Sequence, residues 1–337
     1  MASSVNNIIK YSLSFVLAIG IFWYVLGQVD ISSMMGKILA ADFKWVALAL
    51  CASLLSHVSR AYRWRLLLEP INYKPSTGNT FLAVMTGYFA NLVLPRMGEV
   101  SRCVVLTKTD KIPFNASFGT VVAERAFDLL CLIVLLSLAF LMEIDKFGAF
   151  FVEHVAPGES AYYILSGLAL FGLIALIIIY NLRTVLLKNP YLNKLFVFLK
   201  GVWEGVVSIS KIKKRGGFIL HTVIIWTLYY LMSYLVFFSM EETAHLGIVA
   251  GMMILVIGGI GMSAPVQGGI GVFHEMVSAA LLLFYGIAKE DGLAYAFVVH
   301  TSQLLLILIV GGICFVITLF KGRKNNKPNI TAKTVVA

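Results

Sequence analysis

Charge is scarce in this sequence: 13% of its 337 residues are Asp, Glu, Lys or Arg, against 59% that are apolar or aromatic. A soluble domain carries about a quarter charged residues, so an ordinary water-exposed surface is excluded. Cysteine is sparse too. Cys51, Cys103, Cys131 and Cys314 show no C-x-x-C or zinc spacing, and three fall in apolar runs, where a thiol packs as a small hydrophobe. Neither a disulfide nor a metal centre is expected, and no cofactor is implied. Enzyme signatures are missing as well. His274-Glu275-Met276-Val277-Ser278 lacks the second His of a zincin, and there is no P-loop or dinucleotide fingerprint and no nucleophile elbow. The first apolar run, Ile8 to Leu26, ends in Gly27-Gln28-Val29-Asp30 without a small-x-small cleavage site, and reads as a retained helix.

What is present is hydrophobic length. Mean hydropathy is +0.88, and several apolar runs reach the roughly 20 residues needed to cross a bilayer core of ~30 Å. These features predict an integral membrane protein, 1–337 forming a single transmembrane domain with no separate soluble part. The 27 Lys and Arg against 17 Asp and Glu, a net +10, lie mainly between apolar spans, a pattern that orients a membrane protein rather than binding nucleic acid.

Candidate spans are 8–27, 43–59, 114–142, 161–181, 218–240 and 294–320. Two further apolar stretches, 79–94 and 247–263, each run into a P-x-x-G sequence: Pro95-Arg96-Met97-Gly98 and Pro265-Val266-Gln267-Gly268. With both as re-entrant hairpins, Lys and Arg divide about 22 to 4 between the two sides, against about 19 to 7 if both cross, so the positive-inside bias favours hairpins. The cytoplasm then receives both termini and the Arg60-Arg63-Arg65-Lys74 loop, and only Arg125 stays inside a helix. The acidic loops with Glu143, Asp145, Glu153 and Glu159, and with Glu241-Glu242, face outward. The predicted fold is all-α, with about six spans and two re-entrant hairpins.

The same arrangement exposes an inverted internal repeat, 8–142 and 161–320, each with two helices, a hairpin and a third helix. The third helices match weakly, Val121-Val122 against Val298-Val299. Inverted repeats whose broken segments meet near mid-membrane are a recurring design of secondary transporters. Residues 188–215 carry Leu192, Leu195, Phe196, Leu199, Trp203 and Val206 at helical spacing with lysines between, which predicts a cytoplasmic interfacial helix. The basic tail 321–337 is expected to be disordered.

The candidate site residues follow from depth and chemistry. Glu124, Arg125 and Asp128 lie some 15–20 Å into an apolar run, where a charge costs at least ~2.5–3.5 kcal/mol and is functional by default. Arg125 can reach Asp128 at i,i+3, an ion-paired strut being the bland reading. Around the first turn stand Asn91, Pro95, Arg96, Gly98, Glu99 and Arg102. The helix after Pro95 directs free N–H groups into the cavity, and the two arginines suit a phosphate. In the second, Gly268, Gly269 and Gly271 allow close backbone approach, Glu275 is the acidic candidate, and Pro265 and His274 are candidates for gating or proton coupling.

In order, Asn91-x-x-x-Pro95-Arg96-x-Gly98-Glu99-x-x-Arg102, Glu124-Arg125-x-x-Asp128 and Pro265-x-x-Gly268-Gly269-x-Gly271-x-x-x-Glu275 resemble the lysylphosphatidylglycerol synthase transmembrane-region family, the flippase-like integral membrane proteins. The resemblance covers roughly 8–320. It implies movement of a lipid between leaflets of the cytoplasmic membrane. It does not imply synthase activity, which in fused relatives belongs to a soluble domain not found here. The expected partner is an anionic or phosphate-linked membrane lipid, with the oligomeric state open. Arg96 and Arg102 would gather the head group, Glu99 and Glu275 would face each other across the cavity, and Glu124-Arg125-Asp128 would lock or gate it. The rivals are an intramembrane enzyme acting on a lipid head group, with Glu99 or Glu275 as base, and a non-catalytic envelope scaffold.

Overall fold

A computed structural model of the chain describes residues 16, 19–94, 97–146, 212–264 and 266–325. All regular structure among them is helical. The span 161–181, the 188–211 part of the interfacial helix and the tail beyond 325 lie outside the described residues, as do Pro95, Arg96 and Pro265.

Residues 19–26 are helical, and helix α1 (Ile31–Ala40) follows, capped by Asp30, whose carboxylate accepts from Ser32 N and Ser33 N. The chain then bends by 78° into α2 (Phe43–Leu68), capped by Asp42. Next come α3 (Thr77–Val93), capped by Ser76, and α4 (Gly98–Asp110), which ends where Lys111 turns left-handed. The 29-residue α5 (Phe114–Met142) is followed, after the undescribed stretch, by α6 (Arg215–Phe237), α7 (Ile248–Met262), α8 (Val272–Tyr285) and α9 (Lys289–Leu306). A short π-helical turn, Ile307–Gly311, joins α9 to α10 (Gly312–Asn325).

Four helical segments among the described residues, Phe114–Met142, Arg215–Phe237, Gln267–Tyr285 and Lys289–Lys321, are long and apolar enough to cross a membrane, and the bent pair of α1 and α2 makes a fifth candidate. Their outer faces are apolar: Leu129, Ile133, Val134, Leu138 and Leu141 on α5 are all exposed. In water such a face would drive association; in a bilayer it meets hydrocarbon at no cost.

The helices on either side of each proline–glycine turn pack on one another. α3 packs on α4 and α7 on α8. With 17 and 15 residues, α3 and α7 are about 25 and 22 Å long, short of a ~30 Å hydrocarbon core. Two glycines bring the arms of the first hairpin together. A Cβ on Gly98 would lie 2.5 Å from the Gly87 carbonyl oxygen, and one on Gly87 2.8 Å from that of Gly98. α2 lies against α6, α3 and α5, so its polar face is enclosed by helices rather than lipid.

One expectation is corrected here. The span placed at 43–59 continues to Leu68, and Arg60 and Arg63, taken as loop charges, are helical and only 3% and 0% exposed. Arg125 is therefore not the only basic residue within a helix.

Candidate functional site: a buried arginine–carboxylate cluster beside two hairpin tips

Glu124 projects from α5 into a space lined by α2 and α4 and is fully buried. Its Oε1 is 2.8 Å from Arg60 Nε and 3.3 Å from an Arg63 nitrogen, and its Oε2 is 2.8 Å from an Arg102 nitrogen. One turn further along α5, Asp128 takes Arg60 and Arg63, each at 2.6 Å. The arginines are oriented by other groups as well: Arg60 donates to Tyr229 Oη at 2.8 Å, Arg63 to Thr222 Oγ1 at 3.2 Å, and Arg102 lies over the Trp64 ring at 4.6 Å. Trp64 is itself fixed by donating to Thr120 Oγ1 at 2.9 Å. Such a cluster survives in low dielectric because each charge has an opposite one in contact, although Arg63 Nε and Arg102 Nε are buried with no hydrogen-bond partner.

Nearer the first hairpin tip, Arg125 pairs with Glu99 at 2.9 Å, and these two side chains are 42% and 27% exposed. Asn91 closes the turn by accepting from Gly98 N at 2.6 Å. Taken together, Arg60, Arg63, Arg102 and Arg125 face Glu99, Glu124 and Asp128: four guanidiniums against three carboxylates. The described cluster therefore holds one positive charge in excess.

The second hairpin is built by backbone rather than charge. Gly268, Gly269 and Gly271 all have positive φ, at 58°, 73° and 82°, a conformation that costs other residues about 1 kcal/mol or more. A Cβ on Gly271 would also lie 2.9 Å from Ile21 Cγ2 and 3.0 Å from Phe22 N. His274 Nδ1 accepts from Gly271 N at 3.3 Å, and His300 on α9 donates to the Gly268 carbonyl at 2.8 Å. Between the tips is an open apolar cavity of about 330 Å³, lined by Leu92 from α3, by Gln267, Gly268 and Ile270, and by Thr301 and Leu304 of α9 among others.

The residues singled out in the sequence thus divide into three groups. Asn91, Gly98, Glu99, Arg102, Glu124, Arg125 and Asp128 come together around the first hairpin. Gly268, Gly269, Gly271 and His274 form the second tip. Glu275 sits apart, its carboxylate 2.9 Å from Lys289 Nζ, which also contacts Gln28.

Two pairings differ from expectation. Arg125 does not pair with Asp128, because each has a partner on another helix at hydrogen-bonding distance. Glu99 and Glu275 do not face each other, since each is held by a cation and neither lines the cavity between the tips. Arg60 and Arg63 were missed as site residues. Their signal was present: Ser53, Ser56, His57, Arg60, Arg63 and Trp64 recur at three- and four-residue spacing, one polar stripe on a continuing helix.

Comparison with known proteins agrees with this architecture. The chain matches the family described as lysylphosphatidylglycerol synthase TM region over residues 11–311. A UPF0104 membrane protein of Methanocaldococcus jannaschii is 30% identical over 176 residues, 50% of each chain, so this chain aligns with about half the length of that relative. A UPF0104 membrane protein of Pyrococcus horikoshii is 22% identical over 327 residues, covering 90% of this chain and 96% of that one. Glycosyltransferase AglD of Haloferax volcanii is 22% identical over 331 residues, 88% of this chain but 52% of that protein. No solved structure matches. The apolar helices and the extent of the match make this a multi-pass membrane protein that belongs to the lysylphosphatidylglycerol synthase TM region family.

Proposed function

We propose that the chain moves a lipid with an anionic or phosphate-linked head group between the leaflets of a cell membrane, with both termini in the cytoplasm. The observation that carries this reading is the excess positive charge of the arginine cluster beside the first hairpin tip. An uncompensated charge inside a bilayer is costly, and a phosphate accepting from a guanidinium removes that cost while gaining bidentate contact. Arg125 is the entry point, being the exposed member. The head group displaces Glu99 from it, while the tails remain in hydrocarbon. The short apolar hairpins supply the two broken segments that alternating access requires.

The carboxylates at the cluster, Glu99 and Glu124, are each paired with arginine, an arrangement that serves head-group binding more directly than proton abstraction; Glu275, whose Oε1 meets Lys289 and whose Oε2 has no hydrogen-bond partner, stands apart from them. The similarity to a protein named as a glycosyltransferase favours one variant of this reading, in which the cargo is a sugar-bearing lipid phosphate.

Reconstitution tests it. In vesicles containing head-group-labelled phosphatidylglycerol, the native chain should expose inner-leaflet label to a membrane-impermeant quencher. Arg125→Gln should abolish that exposure while inserting normally. Equal rates for the two proteins would remove the site assignment, and a native rate no faster than empty vesicles would remove the transport reading for this lipid.

A further inference from the structure

His274 and His300 belong to neither the arginine cluster nor the cavity lining, yet their hydrogen bonds assign a proton to each ring. His300 Nε2 faces the Gly268 carbonyl at 2.8 Å. A carbonyl only accepts, so Nε2 carries the hydrogen and Nδ1 is a bare lone pair. His274 Nδ1 faces the Gly271 N–H at 3.3 Å. It must accept, so its hydrogen is on Nε2. The two remaining atoms, His274 Nε2 and His300 Nδ1, have no hydrogen-bond partner, although the residues are only 2% and 3% exposed. One is a donor and the other an acceptor, on rings whose centroids are 4.9 Å apart at 70°.

The surroundings of the pair are largely aromatic and apolar. Phe22 from residues 19–26, Phe273 from α8 and Phe297 from α9 pack against the rings. α7 and α3 carry no charged residue at all. Of the charges on α8 and α9, Glu275 meets Lys289 through Oε1 while its Oε2 has no hydrogen-bond partner, Asp291 engages Lys37, and Glu290 is the remaining carboxylate. His300, however, immediately precedes Thr301, and Thr301, Gly268 and Gln267 form the polar part of the wall of the cavity between the hairpin tips.

We infer that His274 and His300 form a proton-accepting site that becomes charged when an anionic lipid occupies the space between the hairpin tips, so that proton and lipid enter together. This rests on the lipid-transport reading for its cargo. His300 Nδ1 takes the proton from water, because its lone pair is free whereas that of His274 is engaged. The imidazolium keeps and strengthens its bond to the Gly268 carbonyl. The charged ring then stands 4.9 Å, centroid to centroid, from that of His274, and the two rings hold the second turn through Gly268 and Gly271, so protonation and movement of the hairpin are coupled.

The test uses the full chain labelled with ¹⁵N-histidine in nanodiscs, its six histidines assigned through His274→Gln and His300→Gln. At about pH 6, where imidazole charge is readily switched, phosphatidylglycerol should convert the His300 signal to the protonated form and phosphatidylcholine should not. Neutral rings in both lipids, or protonated rings in both, would overturn the inference. In the vesicle assay, native transport should rise as pH falls, by up to about tenfold per unit where proton uptake limits the rate. His300→Gln retains a donor for Gly268 but cannot take a proton, and should be flat with pH. An unchanged slope in that variant would also overturn the inference. A native chain that moves no lipid at any pH would defeat the transport reading, while the ring signals still decide the proton site.

Discussion

Replacing Glu124 with Gln isolates the electrostatics of the buried cluster, since shape is nearly conserved and one charge is removed. In the native chain Glu124 accepts three guanidiniums at 2.8, 2.8 and 3.3 Å. Asp128 still serves Arg60 and Arg63 in the variant. Arg102 has no second carboxylate among the described residues, and its side chain is 4% exposed, so one charge is left buried and uncompensated. Breaking a buried pair in this way costs about 3–5 kcal/mol, or roughly two to three and a half decades in the folded-to-unfolded ratio. The double variant Glu124→Gln/Arg102→Gln removes the orphaned charge and should recover at least ~2 kcal/mol of that loss, because neutralising both partners avoids most of the desolvation penalty. Equilibrium unfolding in mixed micelles of a mild and a denaturing detergent, followed by tryptophan fluorescence, measures both. A single variant within ~1 kcal/mol of native, or a double variant that merely sums the two single losses, would refute the account of the cluster as one coupled unit.

Three further outcomes are expected. Gly98→Ala places a Cβ against the Gly87 carbonyl and the Asn91 amide at 2.5 and 2.6 Å; it should lower stability by about 1–3 kcal/mol in the same unfolding assay and splay the first hairpin, read by a higher crosslinking distance between its arms. Arg125→Gln and Glu99→Gln, removing a half-exposed pair, should each cost no more than ~1 kcal/mol of stability yet lower lipid movement severely, a split that a purely structural pair would not produce. Asp30→Ala removes the acceptor for Ser32 N and Ser33 N and should destabilise the start of α1 by ~1 kcal/mol, seen as faster amide exchange at those residues with transport unaffected.

The reasons some features were legible and others not are physical. Glu124, Arg125 and Asp128 stood out because nothing but function or pairing keeps charge in a 29-residue apolar run. The breaks after α3 and α7 could be read because proline and glycine interrupt the apolar stretches there. Arg60 and Arg63 were hidden by a competing explanation. Positive charge near the end of a span is what the positive-inside bias predicts anyway, so the end of the helix was placed before them, and the polar stripe from Ser53 to Trp64 was cut in half. Pair identity was out of reach for a different reason. Spacing along one helix says which residues can meet, but Arg125 and Asp128 each found a partner across a helix interface, and sequence separation carries no information about that.

The two helices that match weakly in sequence carry different chemistry at matching places. Aligning Val121-Val122 with Val298-Val299 sets Glu124, Arg125 and Asp128 against Thr301, Ser302 and Leu305. On α5 these positions form arginine–carboxylate pairs; on α9, Thr301 and Leu305 line the apolar cavity. The first hairpin is held by Arg102 on Glu124 and by a glycine contact that tolerates no side chain, so moving it means breaking a buried ion pair, at several kcal/mol. The second is held by a hydrogen bond to each of two neutral histidines and by glycines in left-handed geometry, contacts of about 1 kcal/mol apiece. The second hairpin is therefore the one that yields first. If one half must stay fixed on the head group while the other opens a path, the arginine-rich half is the anchor and the glycine–histidine half the moving part. Locking the second hairpin should then stop transport while leaving head-group binding at the arginine cluster intact. A flexible bifunctional crosslinker between cysteines placed at Leu92 and Ile270, which line the cavity between the two tips, is the direct way to ask. Transport that survives the crosslink would reverse the assignment of anchor and moving part.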